Sequence, residues 1–298
     1  FSSRRRHTRY GTVTGVQTCA LPISNMADNS VQRVDPKTGA AKIIVKGKIA
    51  AAADLAIAHD GDTTLQLADV FSFRQVDTKT GKVTTRLRMF GDEVAYPTGV
   101  GIGPSHIVLA SNTSSEVQVL DRKTGKSVSM IQGFKLPVDG AETDKGQILV
   151  LELGTGSLVA LDDLKGEKKH VVADGFKEPV AMAVSGDDVF ITSSDGNITK
   201  VSLADGKKSV VASGLNKPEG IDVAPDGTLI VAEVGEKRVV AVDPAKGAIM
   251  PIAGNLAIGL PAPEGQGAAF LTTGVAVAKD GTIYVSADLT NAMLKITR

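Results

Sequence analysis

The chain repeats itself. Pro218-Glu219-Gly220-Ile221-Asp222-Val223 leads through the turn Pro225-Asp226-Gly227 into Thr228-Leu229-Ile230-Val231-Ala232-Glu233. A further apolar run, Arg238-Val239-Val240-Ala241-Val242-Asp243, follows, then a turn Pro244-Ala245-Lys246-Gly247 and a short strand from Ala248. Units of the same shape begin near Ala52, Pro97, Pro137, Pro179, Pro218 and Thr272, at intervals of 45, 40, 42, 39 and 54 residues. Each reads as four short strands of alternating apolar residues, separated by Asp-Gly or Lys-x-Gly turns that supply positive φ. No helical period lies between them. A four-stranded antiparallel sheet of this size cannot bury both faces alone, so it stacks on copies of itself. Radial stacking gives an all-β β-propeller. A linear solenoid is the structural alternative, but its repeats are usually shorter and its ends need caps that the sequence does not show.

Two ends of the chain depart from the repeat. Residues 1–24 carry Arg4, Arg5, Arg6, His7 and Arg9, the single Cys19 and no strand or helix period. From Val13 to Ile23 they resemble translated sequencing-adapter DNA, so they are set apart as a non-native segment, against the alternative of a basic targeting or nucleic-acid arm. The remaining 25–298 reads as one propeller domain that has lost its native N-terminus. Ala27 to Gly39 matches the third strand and turn of a unit, and Ala41 to Val45 a fourth strand. The Thr272 unit stops after its third strand. The expectation is therefore seven repeats, the first truncated, closed by an N-terminal strand that completes the last blade; six blades are the alternative. Missing strands would leave unpaired sheet edges and a less stable protein than the intact parent.

Charge then bears on partners. The 298 residues hold 33 basic and 33 acidic side chains, and without the first 24 residues the count is 29 against 33. Nucleic acid is disfavoured as a partner. No stretch of 18 apolar residues exists, so no membrane-spanning helix is expected, and one Cys cannot build a disulfide framework. The chain is expected to be a monomer.

Strand polarity in a propeller puts starts of first strands and ends of second strands on one rim. Those positions hold Asp54 with Asp69, Thr98 with Asn112, Asp139 with Glu152, Glu219 with Glu233, and Asp288 after the last second strand; the broken unit adds Asp28. Ringed carboxylates repel unless a cation or donors offset them. Asp54, Asp139 and Glu219 are candidate metal ligands, with Ca²⁺ the natural hard ion. Asp69, Asn112, Glu152, Glu233 and Asp288 are candidates for a ligand mouth, or else simply cap the adjoining loops. The opposite rim carries Lys in the third-to-fourth-strand turns. Residues 252–271 form a longer connection on the acidic rim, a candidate lid.

Several chemistries lack their residues. His59 and His106 fall near the Lys-bearing rim and His170 on an outer strand, so no histidine is expected at the mouth and a His relay there is disfavoured. Gly-x-Ser-x-Gly and zinc-type Cys/His spacings are absent. Gly99-x-Gly101-x-Gly103 sits inside a strand with no helix to receive a phosphate, so it reads as packing. No organic cofactor is expected.

The unit from Pro218 to Glu233, with Arg238 to Asp243, resembles NHL-repeat and gluconolactonase-like (SMP-30-type) propellers, as does Ala268-Ala269-Phe270 leading into Thr273-Gly274-Val275-Ala276-Val277. The resemblance implies a periplasmic or extracellular propeller. In the gluconolactonase-like branch it implies a central divalent metal that activates water or polarises a lactone carbonyl. Glu219, Asp139-Gly140 and Asp54 look like such metal positions, although no first-strand start carries the expected Asn. Two functions follow: binding of a small ligand, peptide or partner protein at an acidic central mouth, or Ca²⁺-dependent hydrolysis of lactones or esters.

Overall fold

The computed structural model describes residues 30–34, 41–46, 49–89, 91–92, 94, 96–261, 271–289 and 292–296, the first two segments as backbone. The adapter-like segment, Asp28 and residues 262–270 lie outside the described residues.

Five consecutive units form four-stranded antiparallel blades. Blade 1 is β3 (Ala52–Ile57), β4 (Thr64–Asp69), β5 (Ser72–Asp77) and β6 (Val83–Arg88); blade 2 is β7 (Gly99–Ile102), β8 (His106–Ser111), β9 (Glu116–Asp121) and β10 (Ser127–Gln132). Blade 3 is β11 (Pro137–Glu142), β12 (Ile148–Glu152), β13 (Ser157–Leu161) and β14 (Lys169–Ala173); blade 4 is β15 (Pro179–Ser185), β16 (Asp188–Ser193), β17 (Ile198–Ser202) and β18 (Lys208–Ala212). Blade 5 is β19 (Pro218–Val223), β20 (Leu229–Glu233), β21 (Arg238–Val242) and β22 (Ile249–Ala253).

The last unit is different. Its β23 (Val275–Val277), β24 (Ile283–Ala287) and β25 (Ala292–Ile296) share a five-stranded sheet with β1 (Ser30–Val34) and β2 (Ala41–Lys46). β1 runs parallel to β25, pairing Gln32 with Leu294 and Val34 with Ile296, while β2 pairs antiparallel to β1. The expected N-terminal strands exist and lie on the last unit, but they form no blade of their own. Five regular blades and one composite sheet thus replace the seven repeats expected and the six blades held as the alternative. The physical reason is strand supply. A two-stranded remnant has too little apolar face to stand as a separate blade, and it finds pairing partners on the open edge of β25.

Burial runs outward from the axis. The second strands β12, β20 and β24 are buried throughout, whereas β14 and β18 are exposed at their first three residues. Inner and middle strands are covered on both faces by neighbouring blades, which is why Ile148-Leu149-Val150-Leu151 and Leu229-Ile230-Val231-Ala232 are unbroken apolar runs. The core is a set of inter-blade layers. Leu149, Leu151 and Leu158 of blade 3 meet Met182, Val189 and Ile191 of blade 4, and Ile230 and Ala232 of blade 5 meet Val275, Ile283 and Val285 of the last sheet. The ring closes where Ile49, Leu55, Leu65 and Leu67 pack on Ala276 and Tyr284.

Two local devices recur. The third strands of blades 1 and 2 end on an Asp whose carboxylate accepts the next turn's N–H groups, as Asp77 does from Lys79 and Thr80 at 2.9 and 2.7 Å; Gly81 then takes φ 70° to reverse the chain. First strands begin with a register irregularity at the same place, between Ala52 and Asp54, Pro137 and Asp139, and Pro179 and Ala181. The residue before each opening proline is left-handed: Tyr96, Leu136, Glu178 and Lys217 have φ of 44°, 51°, 47° and 52°.

The Gly99 and Gly101 reading as packing is accounted for by geometry. A Cβ at Gly101 would sit 2.0 Å from Gly140 O, and one at Gly99 2.2 Å from Val138 O, so β7 and β11 approach backbone to backbone.

Candidate functional site: an axial channel

The first-strand irregularity determines what the inner carboxylates do. It turns Asp54 and Asp139 across to the following blade. Val100 N–H donates to Asp54 Oδ2 at 2.9 Å and Leu55 N–H to its Oδ1 at 2.8 Å. Asp139 repeats this with Met182 N–H at 2.8 Å and Gly140 N–H at 2.7 Å. Thr273 N–H donates to Glu219 Oε2 at 2.6 Å, and Val277 N–H to Asp222 Oδ2 at 2.7 Å. Each acid therefore latches one inner strand to the next. Burial costs the charged form more than these bonds return. It pushes Asp54 up to about 7 and Glu219 up to about 8, and raises Asp139 well above the carboxylate range with the Asp54 charge adding to it.

The second-strand acids have a different task. Asp69, fully buried, accepts from Ala50 N–H and Ala51 N–H at 3.0 and 2.5 Å and pairs with Arg74. Glu152 accepts from Lys135 N–H at 2.7 Å and Thr155 Oγ1 at 2.6 Å; Glu233 accepts from Asn216 N–H at 2.8 Å and Arg238 Nε at 2.5 Å. Asp288 takes Gly259 N–H at 2.8 Å and Leu260 N–H at 2.6 Å. Asn112 is buried and its Oδ1 accepts from Thr113 Oγ1 at 3.0 Å. The four acids clamp the segment that enters an inner strand, at or next to the left-handed residue in blades 3 and 5. None of these five side chains lines the axial cavity. The described part of the candidate lid is likewise held down, with Leu256 and Ile258 in the core and the Lys237 ammonium on Ile258 O and Gly259 O.

The cavity itself lies on the axis, about 470 Å³, and starts at Asp54, Asp139 and Ala181. It runs along the inner strands to their far ends, where His59, Asp60, Pro104, Asp144 and Asp222 frame it. Strand polarity places those turns on the same rim as the third-to-fourth-strand turns, where Lys79, Lys82, Lys123 and Lys126 are exposed. The acidic throat thus opens inside the basic collar, at the opposite end from the one the sequence pointed to.

A histidine does stand at this opening. His59 Nε2 lies 3.3 Å from Asp222 Oδ2, and that hydrogen bond raises the imidazole's affinity for its proton. Glu142, buried in the channel wall, accepts from Ser105 N–H at 2.8 Å and His106 N–H at 2.7 Å, and meets His106 Nδ1 at 2.7 Å. The sequence placed His59 near the Lys-bearing rim, where it stands, but gave it no role, and it passed over Glu142 and Asp222 as site residues. Their signal was position: Glu142 and Asp222 lie in the last two residues of first strands and His59 two residues beyond one.

Metal binding can be judged from the donors. Both oxygens of Asp54 and of Asp139 already hold a backbone N–H, and Glu219 does not line the channel. Among the described residues no group of three or more His, Cys, Asp or Glu is arranged to hold a metal ion. Ca²⁺ needs several oxygens converging at one point, so this donor set does not fit it.

Antiparallel blades ringed about an axial channel define a β-propeller. Over residues 27–250 the sequence matches the PQQ_2 family model, described as outer membrane protein assembly factor BamB, and the chain belongs to that family. That match supports the propeller fold and does not confirm the NHL or SMP-30 groups that the repeat resembles. The comparison with curated proteins finds no match. Among solved structures, a nidogen/laminin complex superposes with a TM-score of 0.63 at 15% identity, covering 73% of this chain and 85% of that one. A streptogramin B lyase gives 0.58 at 14% identity, covering 82% and 92%, and virginiamycin B lyase from Staphylococcus aureus gives 0.54 at 13%, covering 82% and 83%. Likeness at these identities is one of fold. Among the described residues no helix is long and apolar enough to cross a membrane.

Proposed function

We propose that this propeller is a binding module whose axial channel takes a cationic small ligand or the cationic end of a peptide. One observation carries the reading: Asp54, Asp60, Asp139, Glu142, Asp144 and Asp222 converge on one cavity, against His59 and Arg122 as the cations in its lining. Arg122 is already paired, 2.7 Å from Asp60. Low-dielectric walls concentrate that negative potential along the axis. Among the described residues no cation acts on the raised Asp54 and Asp139 carboxyls, and a bound ammonium or guanidinium would supply the charge that favours their ionised form. The lactone or ester hydrolase reading has no comparable observation behind it. An exported setting, periplasmic or extracellular, belongs to the same proposal, supported by the family's outer-membrane description.

The test is calorimetry with a lysine-containing tripeptide, run at pH 5.5 and pH 8. Asp54, raised to about 7, ionises between those values, so affinity should rise by about fivefold or more toward pH 8 with protons released on binding. Asp144→Asn, at the exposed entrance, should weaken binding. Equal affinity for an acetylated, uncharged tripeptide would defeat the proposal.

A further inference from the structure

A second cavity, about 610 Å³, lies between blades 1 and 2 on the same rim as the channel opening. Its lining includes Gln66, Gln75, Arg86 and Lys123, and it shares Pro104 and Arg122 with the channel. The partition between the two spaces is the short turn from Gly103 to His106. From the channel side Glu142 holds that turn by its Ser105 and His106 N–H groups at 2.8 and 2.7 Å. From the cleft side Arg122 Nη1 donates to Gly103 O at 3.2 Å, while its Nη2 lies 2.7 Å from Asp60 and 3.5 Å from Asp62.

The two spaces differ in their balance of charge: the channel sets Asp54, Asp60, Asp139, Glu142, Asp144 and Asp222 against His59 and Arg122, whereas the cleft sets Asp62 and Asp121 against Arg86, Arg122 and Lys123. In the cleft the acids are engaged: Asp121 Oδ1 accepts from Thr124 N–H at 2.6 Å and Thr124 Oγ1 at 2.7 Å, and Asp62 accepts Thr64 N–H at 2.9 Å besides facing Arg122. Arg86 and Lys123 are exposed and take part in no ion pair among the described residues. The Arg86 guanidinium reaches over from β6 to the blade 2 turn at Gly125, where a Cβ would lie 3.3 Å from its Nη2. A guanidinium and an ammonium that no described carboxylate pairs, in a lining where cations outnumber acids, form a site for a carboxylate. Gln75, whose Nε2 donates to the buried Gln66 Oε1 at 2.9 Å, lines the cleft wall with an amide suited to a peptide main chain.

We propose that the channel and this cleft are two halves of one track for a short peptide, the channel taking its cationic end and the cleft its C-terminal carboxylate. The inference rests on the cation-binding reading of the channel and adds the substrate class and its polarity. A ligand lying across the Pro104 turn places opposite charges against opposite fields, an arrangement that neither a simple amine nor a simple carboxylate can exploit.

The experiment compares two probes on the full chain: the tetrapeptide Lys-Ala-Ala-Ala with a free carboxylate, and the same peptide as its C-terminal amide. The free acid should bind about tenfold tighter than the amide. The preference should vanish in the double variant Arg86→Gln/Lys123→Gln, whose changes are at the surface and leave the core untouched. Asp144→Asn should weaken both peptides equally. Equal binding of acid and amide by the parent overturns the shared track and leaves the channel reading standing. A preference that survives in the double variant overturns the assignment to this cleft. Failure of both peptides to bind overturns both readings.

Discussion

A carboxylate can serve a propeller in three ways, and this chain uses position within the repeat to choose among them. Glu219 shows the cost most clearly. Its side chain is almost fully buried with one backbone donor at 2.6 Å, and burial raises it from 4.5 to about 8. Between those values the unfolded chain has released a proton that the folded chain keeps. Stability therefore falls as pH rises through that window and is lowest above it. Asp54, raised to about 7, acts in the same direction over a lower range. Glu219→Gln keeps an acceptor for Thr273 N–H and removes the titration. Urea unfolding should find the variant close to the parent at pH 4 and more stable at pH 9 by on the order of 2 kcal/mol. An unchanged pH slope would show that Glu219 is solvated in the native state.

At the scale of the strand and its connections, the second-strand acids are the joints of the molecule. Asp69 satisfies two N–H groups ahead of β3 and the Arg74 guanidinium from a site with no solvent exposure. Asp69→Ala strands all three, and the expected loss is about 3 kcal/mol in chemical denaturation. Tripeptide affinity for the folded variant should stay the same, since Asp69 does not line the channel; a parallel loss of binding would return it to the ligand site. Much of this was legible in the sequence. The unit length, the Asp-to-Gly turns and the inward register of Asp54 and Asp139 follow from local pattern. The partner of each carboxylate does not, because Val100 and Met182 N–H groups arrive from the next blade some forty residues on. Nor does the open end of the channel. Strand polarity says which residues share a rim but not how far the axial cavity extends, and so His59 was placed on the Lys-bearing rim without being read as part of that cavity's lining.

Blade number is a property of the whole ring, and repeat counting misjudged it because a remnant with strand-like sequence need not make a blade. Closure shows what holds the ring instead. β1 meets β25 through three residue pairs, Gln32, Arg33 and Val34 with Leu294, Lys295 and Ile296. The inner strands meet more firmly. Gly274 N–H and Ser286 Oγ both donate to Ala53 O at 3.0 Å, and Ala276 and Tyr284 complete a layer with Ile49, Leu55, Ile57, Leu65, Leu67 and Val76. Buried apolar area outweighs a short parallel pairing at an edge. Deleting residues 1–46 should accordingly leave one cooperative calorimetric transition, with a midpoint about 5 °C lower. Tyr284→Ala, which opens a cavity in the closing layer, should lower it by about 10 °C. The order of the two effects decides the matter: a deletion more damaging than the cavity would mean that the added strands, and not the inner layer, lock the ring.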